Sequence, residues 1–320
     1  MPGGMAGEGQ RVVLLGATGT IGRATARALV AAGYDVLCPV RGDGAGLPVG
    51  VQVVRADVTD RAALAPLMAG AEAAISCLAS RTGVPADAFA IDRDATVGAI
   101  GAASAAGVGR FVLLSAICVQ KPRLAFQRAK LAAEAALMAS GLGWSVVRPT
   151  AYFKSLSGQV PRVRDGRPFL VFGDGRLTAC KPISDDDLGR VLVACLSDTA
   201  LQGRIVPVGG PGPAIGPLDQ AAMLSDLLGR EVPVRRVPVA LLAAIAGGLS
   251  AAGLVSARAR DRAELARIGR YYATESMLVW DGDRYDADTT PEFGTERLRD
   301  HYARMLAGEV ADDRGAHAVF

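Results

Sequence analysis

Hydrophobic residues in this chain come in short runs separated by glycines and polar turns, and the runs alternate with stretches of helical spacing. The first run, 11–15, stops at Gly16 and predicts a parallel strand buried on both faces. Residues 20–32 then place apolar side chains three and four apart and end at Gly33, which predicts a helix. The alternation continues with strands over 34–40, 51–54 and 73–78 and a long helix over about 87–106. A strand over 111–114, a helix over 123–140 and a strand over 144–147 closed by Arg148-Pro149 complete it. This order predicts an α/β fold, a Rossmann-type doubly wound parallel sheet.

After Pro149 the rhythm breaks, with prolines and glycines cutting the chain into short pieces up to about Pro182. A helix over 185–196 and an added strand over 204–208 follow. The division expected is a disordered lead at 1–10, a Rossmann domain at 11–150 and, over 151–320, mainly a smaller lobe with segments returning to the sheet. The most apolar later run, 239–255, contains three glycines and a serine and is short for a membrane span, which needs about 20 residues. A buried or surface-seated helix is the expectation.

Composition adds exclusions. Net charge is only +3 and the basic residues are dispersed, so nothing argues for a nucleic-acid partner. Five cysteines (Cys38, Cys77, Cys118, Cys180, Cys195) show no CxxC pair, which suits a reducing, cytoplasmic compartment. The two histidines, His301 and His317, both lie near the C-terminus, which disfavours a histidine metal site or a Ser-His-Asp triad, and no metal is expected.

Chemistry enters at Gly16-Ala-Thr-Gly19-Thr-Ile-Gly22, between a predicted strand and a predicted helix. Gly16 permits the turn, Gly19 admits a pyrophosphate, and Gly22 lets the helix approach the strand, with the helix N–H groups facing phosphate. Gly16, Thr18, Gly19, Thr20, Ile21, Gly22 and Arg23 are the candidate cofactor contacts. The second strand ends on Val40-Arg41 rather than on an acid, so Arg23 and Arg41 point to the 2′-phosphate of NADPH. Asp57 is read either as a receiver of the adenine amino group or as a helix N-cap. Ser76 to Ser80 fall by position beside the nicotinamide ribose.

Residues 113–130, LLSAICVQKPRLAFQRAK, are similar to the site segment of short-chain dehydrogenases, with a serine after the fifth strand and a YxxxK pair on the next helix. Ser115 and Lys130 match; Phe126 stands in the tyrosine's place and has no proton to donate. The blocks SAICVQKP, FQRAKLAAEAAL, RYYATESMLVWD and YDADTTPEFGTERLRDHY resemble the divinyl chlorophyllide 8-vinyl-reductase family, atypical short-chain dehydrogenases. The resemblance covers nearly the whole chain after the lead. It implies NADPH-dependent reduction of the C8 vinyl group of divinyl chlorophyllide or protochlorophyllide, in (bacterio)chlorophyll biosynthesis. It gives Lys130 the nicotinamide ribose and makes Ser115 and Ile117 shape the nicotinamide pocket.

For a flat tetrapyrrole the candidate contacts are Ile117, Tyr152, Lys154, Tyr271, Tyr272 and Met277, with the 239–255 run as a lid or a plain helix core. Lys154, Arg162 or Lys181 would pair with the propionate carboxylate. Tyr152, Lys154, Cys118 or water would return the proton. Two rivals remain: an isoflavone-type reductase of another alkene, and a non-catalytic NADP-binding sensor. The apolar run would also serve peripheral association at the photosynthetic membrane surface. Nothing in the sequence sets an oligomeric state.

Overall fold

The computed structural model describes residues 7–253 and 256–310. Seven parallel strands form the central sheet. In chain order they are β1 (Arg11–Leu15), β2 (Asp35–Val40), β3 (Val51–Arg55), β4 (Ala73–Ser76), β5 (Arg110–Leu114), β6 (Gly143–Pro149) and, after the intervening β7 (Phe169–Phe172), β8 (Arg204–Val208). Their spatial order is β3-β2-β1-β4-β5-β6-β8, so the sheet reverses direction between β1 and β4. That reversal opens the crevice where α/β folds take nucleotides. Strands β1, β4 and β5 are apolar and buried because helices cover both faces. Edge strand β3 is mostly exposed.

One face carries α1 (Thr20–Ala31), and the other carries α2 (Arg61–Met68), α3 (Pro85–Ala88), α4 (Thr96–Ala105) and α5 (Ala125–Met138). Helix α2 answers the alternative that read Asp57 as a helix N-cap, but it starts three residues later than that cap would put it. The predicted long helix is continuous from α3 to α4 but carries a π-helical stretch, Phe89–Ala95, in its middle. A π stretch inserts one residue and rotates the side chains that follow, a feature common at functional sites.

Beyond β6 lie two short helices, α6 (Phe153–Leu156) and α7 (Val160–Arg164). Helix α8 (Asp185–Ser197) returns to the nucleotide side and packs on α1 through Gly189, where a Cβ would come within 2.8 Å of the Ala24 carbonyl carbon. The remaining chain supplies α9 (Pro217–Leu228), β9 (Val234–Val237), α10 (Val239–Ala252), α11 (Ala257–Thr274), β10 (Val279–Trp280), β11 (Tyr285–Asp286) and α12 (Leu298–Leu306). Strands β7 and β9 make a separate parallel pair over an apolar cluster containing Phe153, Phe169 and Tyr302.

Two expectations need correction. Residues 7–10 are not a disordered lead: Gly7 donates its N–H to Ala32 O and packs against the Tyr34 ring, which leaves no room for a side chain. Residues 1–6 lie outside the described residues, as do His317 and the Leu254-Val255 end of the apolar run. The rest of that run, α10, lies on the surface with only Ala246 buried, so it is no helix core.

Candidate active site

The glycine turn fits a dinucleotide. Gly16 has φ +74°, and a Cβ there would lie 2.7 Å from the Cys77 carbonyl, so β1 and β4 end in contact. At Gly22 a Cβ would run into the Gly16 carbonyl oxygen and come within 2.8 Å of Ala17 Cα. Gly19 has open space apart from Gly16 O at 3.3 Å. Helix α1 starts there with no side-chain cap and no acid in its first turn, so its free N–H groups await an anion.

At the adenine end, Arg41 is exposed and its charge reaches Asp57. Asp57 Oδ1 accepts from the Thr59 N–H (3.0 Å) and hydroxyl (2.8 Å), and these bonds hold its carboxyl below the usual range. The N-cap of α2 is Asp60, not Asp57: Asp60 Oδ1 accepts from the Ala62 N–H at 2.9 Å. Arg23 lies against the 43–47 loop and donates to Ala45 O at 3.4 Å.

At the other end, Lys130 on α5 meets Asp92, which the sequence reading missed. Nζ and Oδ1 are 3.0 Å apart, and Asp92 is only 3% exposed. The π stretch presents this carboxylate inward, yet Oδ1 has no aligned hydrogen bond. Leu78, Asp92, Thr96, Ser115 and Lys130 line one small cleft. Ser115, however, is committed elsewhere: its hydroxyl donates to Glu134 Oε1 at 2.5 Å, and Arg148 pairs with the same buried carboxylate. That network fastens β5 and β6 to α5.

Helix α11 buttresses the start of α5. Glu264 Oε1 accepts from the Ala125 N–H at 3.0 Å, a carboxylate on the positive pole of the helix. Gln127 Oε1 accepts from the Arg123 and Leu124 N–H groups. Tyr271 donates to Cys118 O at 3.0 Å and Lys121 O at 3.3 Å, so it ties the loop down instead of forming a lid. Met277 and Ile117 are likewise buried in the cluster around Phe126 and Ile268. Lys181 is buried on Thr290 O and Glu292, which leaves it no room for a further carboxylate, while Arg162 gives its Nε–H to Pro168 O.

Phe126 belongs to that same apolar cluster. Phe126→Tyr should therefore bury its new hydroxyl at a cost of about 1–2 kcal/mol, read by urea unfolding; unchanged stability would contradict this placement.

Tyr272 differs from Tyr271. It keeps 41% of its surface exposed, and its ring meets Tyr271 edge-on at 5.9 Å. Its hydroxyl end is nonetheless enclosed by protein and bonds the Cys118 thiol, and burial drives its pKa well up. Burial also raises the Cys118 thiol and the Tyr152 phenol. Lys154, expected at the substrate tail, instead donates to Thr20 Oγ1 at 2.9 Å, beside the glycine turn.

Asp185, at the start of α8, has Oδ1 buried without a partner, and burial pushes its carboxyl up to about 6. A carboxyl raised from 3.8 binds its proton more tightly folded than unfolded, so stability falls as pH rises from about 4 to 6 and stays lower above. Asp185→Asn should remove that fall, raising stability at pH 8 by about 3 kcal/mol and leaving pH 4 unchanged. Equal melting-temperature shifts at both pH values would contradict it.

The comparisons follow this geometry. The profile of the NAD(P)H-binding family matches residues 16–199. The chain is 42% identical over 331 residues to the chloroplastic divinyl chlorophyllide a 8-vinyl-reductase of Oryza sativa subsp. indica, covering 97% of this chain and 82% of that protein. It is 39% identical over 324 residues to the protein of that name from Arabidopsis thaliana, covering 94% and 78%. In fold it is similar to an NADPH-dependent quinone oxidoreductase from Escherichia coli complexed with NADPH, at a TM-score of 0.67 and 19% identity, covering 93% of this chain and 99% of that one.

Proposed function

The chain belongs to the divinyl chlorophyllide a 8-vinyl-reductase family, and from that premise we propose that it uses NADPH to reduce the C8 vinyl group of a divinyl tetrapyrrole to ethyl. One observation carries the reading: similarity to those reductases along 97% of the chain coincides with Lys130 retained at the sheet end and Phe126 in the tyrosine's place. The lysine suits cofactor binding; the missing phenol suits an alkene better than a carbonyl. A vinyl group conjugated to a macrocycle delocalises the added charge, so no acid is required at an oxygen.

Bound on the glycine turn, NADPH supplies the hydride. Lys130, steadied by Asp92, binds the nicotinamide ribose and adds positive potential over the reacting end. Arg23 and Arg41 face the 2′-phosphate. Tyr272, with 41% of its surface exposed and its phenol protonated at neutral pH, would supply the proton that the inner vinyl carbon must accept. Its raised pKa is no obstacle, because a carbanion is the stronger base. The segments after Pro149 that do not return to the sheet form the substrate lobe.

The test is to incubate purified protein with NADPH and divinyl chlorophyllide. A blue-shifted Soret band with a mass gain of two hydrogens supports the reading. Tight NADPH binding without turnover of the pigment would favour a sensor, and turnover only of other conjugated alkenes an isoflavone-type enzyme.

Among the described residues, no helix is long and apolar enough to cross a membrane. Peripheral seating is part of the proposal. Helix α10 exposes the stripe Ala240, Leu241, Ala244, Ile245 and Ala252, and exposed Arg235, Arg236, Arg258 and Arg262 flank it. An apolar helix rimmed by arginine suits an anionic bilayer surface. Leu241→Asp/Ile245→Asp should abolish co-sedimentation with anionic vesicles; unchanged sedimentation would rule this face out.

A further inference from the structure

Lys154 sits on the first turn after β6, and backbone pairing fixes where it goes. Phe153 donates its N–H to Ile183 O at 3.1 Å, and Ile183 donates to Ala151 O at 2.9 Å. This bridge lays the segment beside the residues that enter α8, whose N-cap is Ser184. Helix α8 presses on α1 at Gly189. The segment after β6 is thus held beside the start of α8, and from it Lys154 Nζ reaches Thr20 Oγ1, in the first turn of α1, at 2.9 Å.

An ammonium is poorly placed there unless an anion joins it. The N-terminus of a helix carries partial positive charge, which favours anions and opposes cations. Helix α1 offers Lys154 no counter-charge: its cap is Gly19, and its first turn holds no acid. Among the described residues, no carboxylate lies within ion-pair distance of Lys154 Nζ, although Lys121, Lys130 and Lys181 each have one. Asp185 is near enough for Lys154 to lower its pKa, yet it forms no ion pair with it.

We propose that Lys154 closes on the diphosphate of the nicotinamide cofactor and clamps it against the first turn of α1. The lysine then belongs to the cofactor and not to the carboxylate tail of the substrate. Charge, helix pole and hydroxyl all face one anion, and the clamp comes from the segment that leads into the substrate lobe. The inference rests on the dinucleotide site alone and needs no assumption about the pigment.

Nicotinamide fluorescence of the full-length protein tests it without any pigment. Lys154→Ala should weaken NADPH about 10- to 100-fold, and NADH by the same factor, because both carry the diphosphate. Lys154→Arg should stay within about threefold of wild type. The melting temperature without cofactor should barely move, and Lys154→Gln serves if the alanine variant folds poorly. Unchanged NADPH affinity with a raised pigment KM would overturn the proposal and return Lys154 to the substrate. Loss confined to NADPH would overturn it too, since that marks a 2′-phosphate contact. Failure of the vinyl-reduction assay would leave these binding results untouched.

Discussion

Lys130→Ala should lower the rate of vinyl reduction by about 10²- to 10³-fold, the range seen when one preorganised charge is removed from an active site. Part of the loss would be structural. Asp92 is buried, and removing its partner strands a carboxylate, at a cost of about 3–5 kcal/mol. The double variant Lys130→Met/Asp92→Asn separates the two contributions. It keeps the volume and removes both charges, so its stability should return to within about 1 kcal/mol of wild type while its rate stays at least about 100-fold down. Recovery of rate along with stability would make Lys130 a structural lysine. Asp92→Asn alone should cost about tenfold in kcat, as a positioning residue would.

The second large effect is expected at the glycine turn, where neighbouring positions should fail differently. Gly22→Ala puts a Cβ against the Gly16 carbonyl and 2.8 Å from Ala17 Cα, backbone atoms that cannot step aside. Helix α1 must move off β1, and the change should cost about 3 kcal/mol or more of stability along with NADPH binding. Gly19→Ala meets only Gly16 O at 3.3 Å, so the cofactor-free protein should keep its melting temperature. The new methyl still stands where the pyrophosphate approaches, and NADPH affinity should fall by more than about tenfold. Calorimetry of both variants, with and without NADPH, checks the contrast; equal destabilisation would mean that Gly19 serves packing only.

The sheet was readable because strands covered on both faces need apolar runs, and glycines mark their ends. β1 and β8 fell where the hydrophobic pattern put them. The cap and bounds of helix α2 were not readable: it is eight residues long, with Pro66 inside it. The π stretch was hidden as well, since a one-residue insertion within a continuous helix leaves the apolar spacing almost unchanged. Asp92 therefore looked like one more surface acid in Asp92-Arg93-Asp94, although it alone turns inward.

Spacing along one helix pointed to Lys130, but its supports come from afar. Asp92 lies 38 positions upstream, and Glu264, which caps α5, lies 139 positions beyond Ala125. The two blocks that carry the family resemblance also touch each other. Gln120 bonds Leu278 O and the Trp280 N–H, while Lys121 pairs with Glu275 and lies over the Trp280 ring at 4.0 Å. Each block reads locally as loop or helix end; only the fold shows that they make one wall beside the site. The contact of Lys154 with Thr20 was hidden for a related reason, because the two lie 134 residues apart.

Transfer of label from NADPH carrying deuterium at the reactive face of C4 to divinyl chlorophyllide tests the central claim most directly. Hydride delivery to the outer vinyl carbon predicts one deuterium in the methyl of the new ethyl group, with the methylene hydrogen drawn from solvent. Deuterium in the methylene, or pigment returned unlabelled while NADPH stays bound, would contradict it.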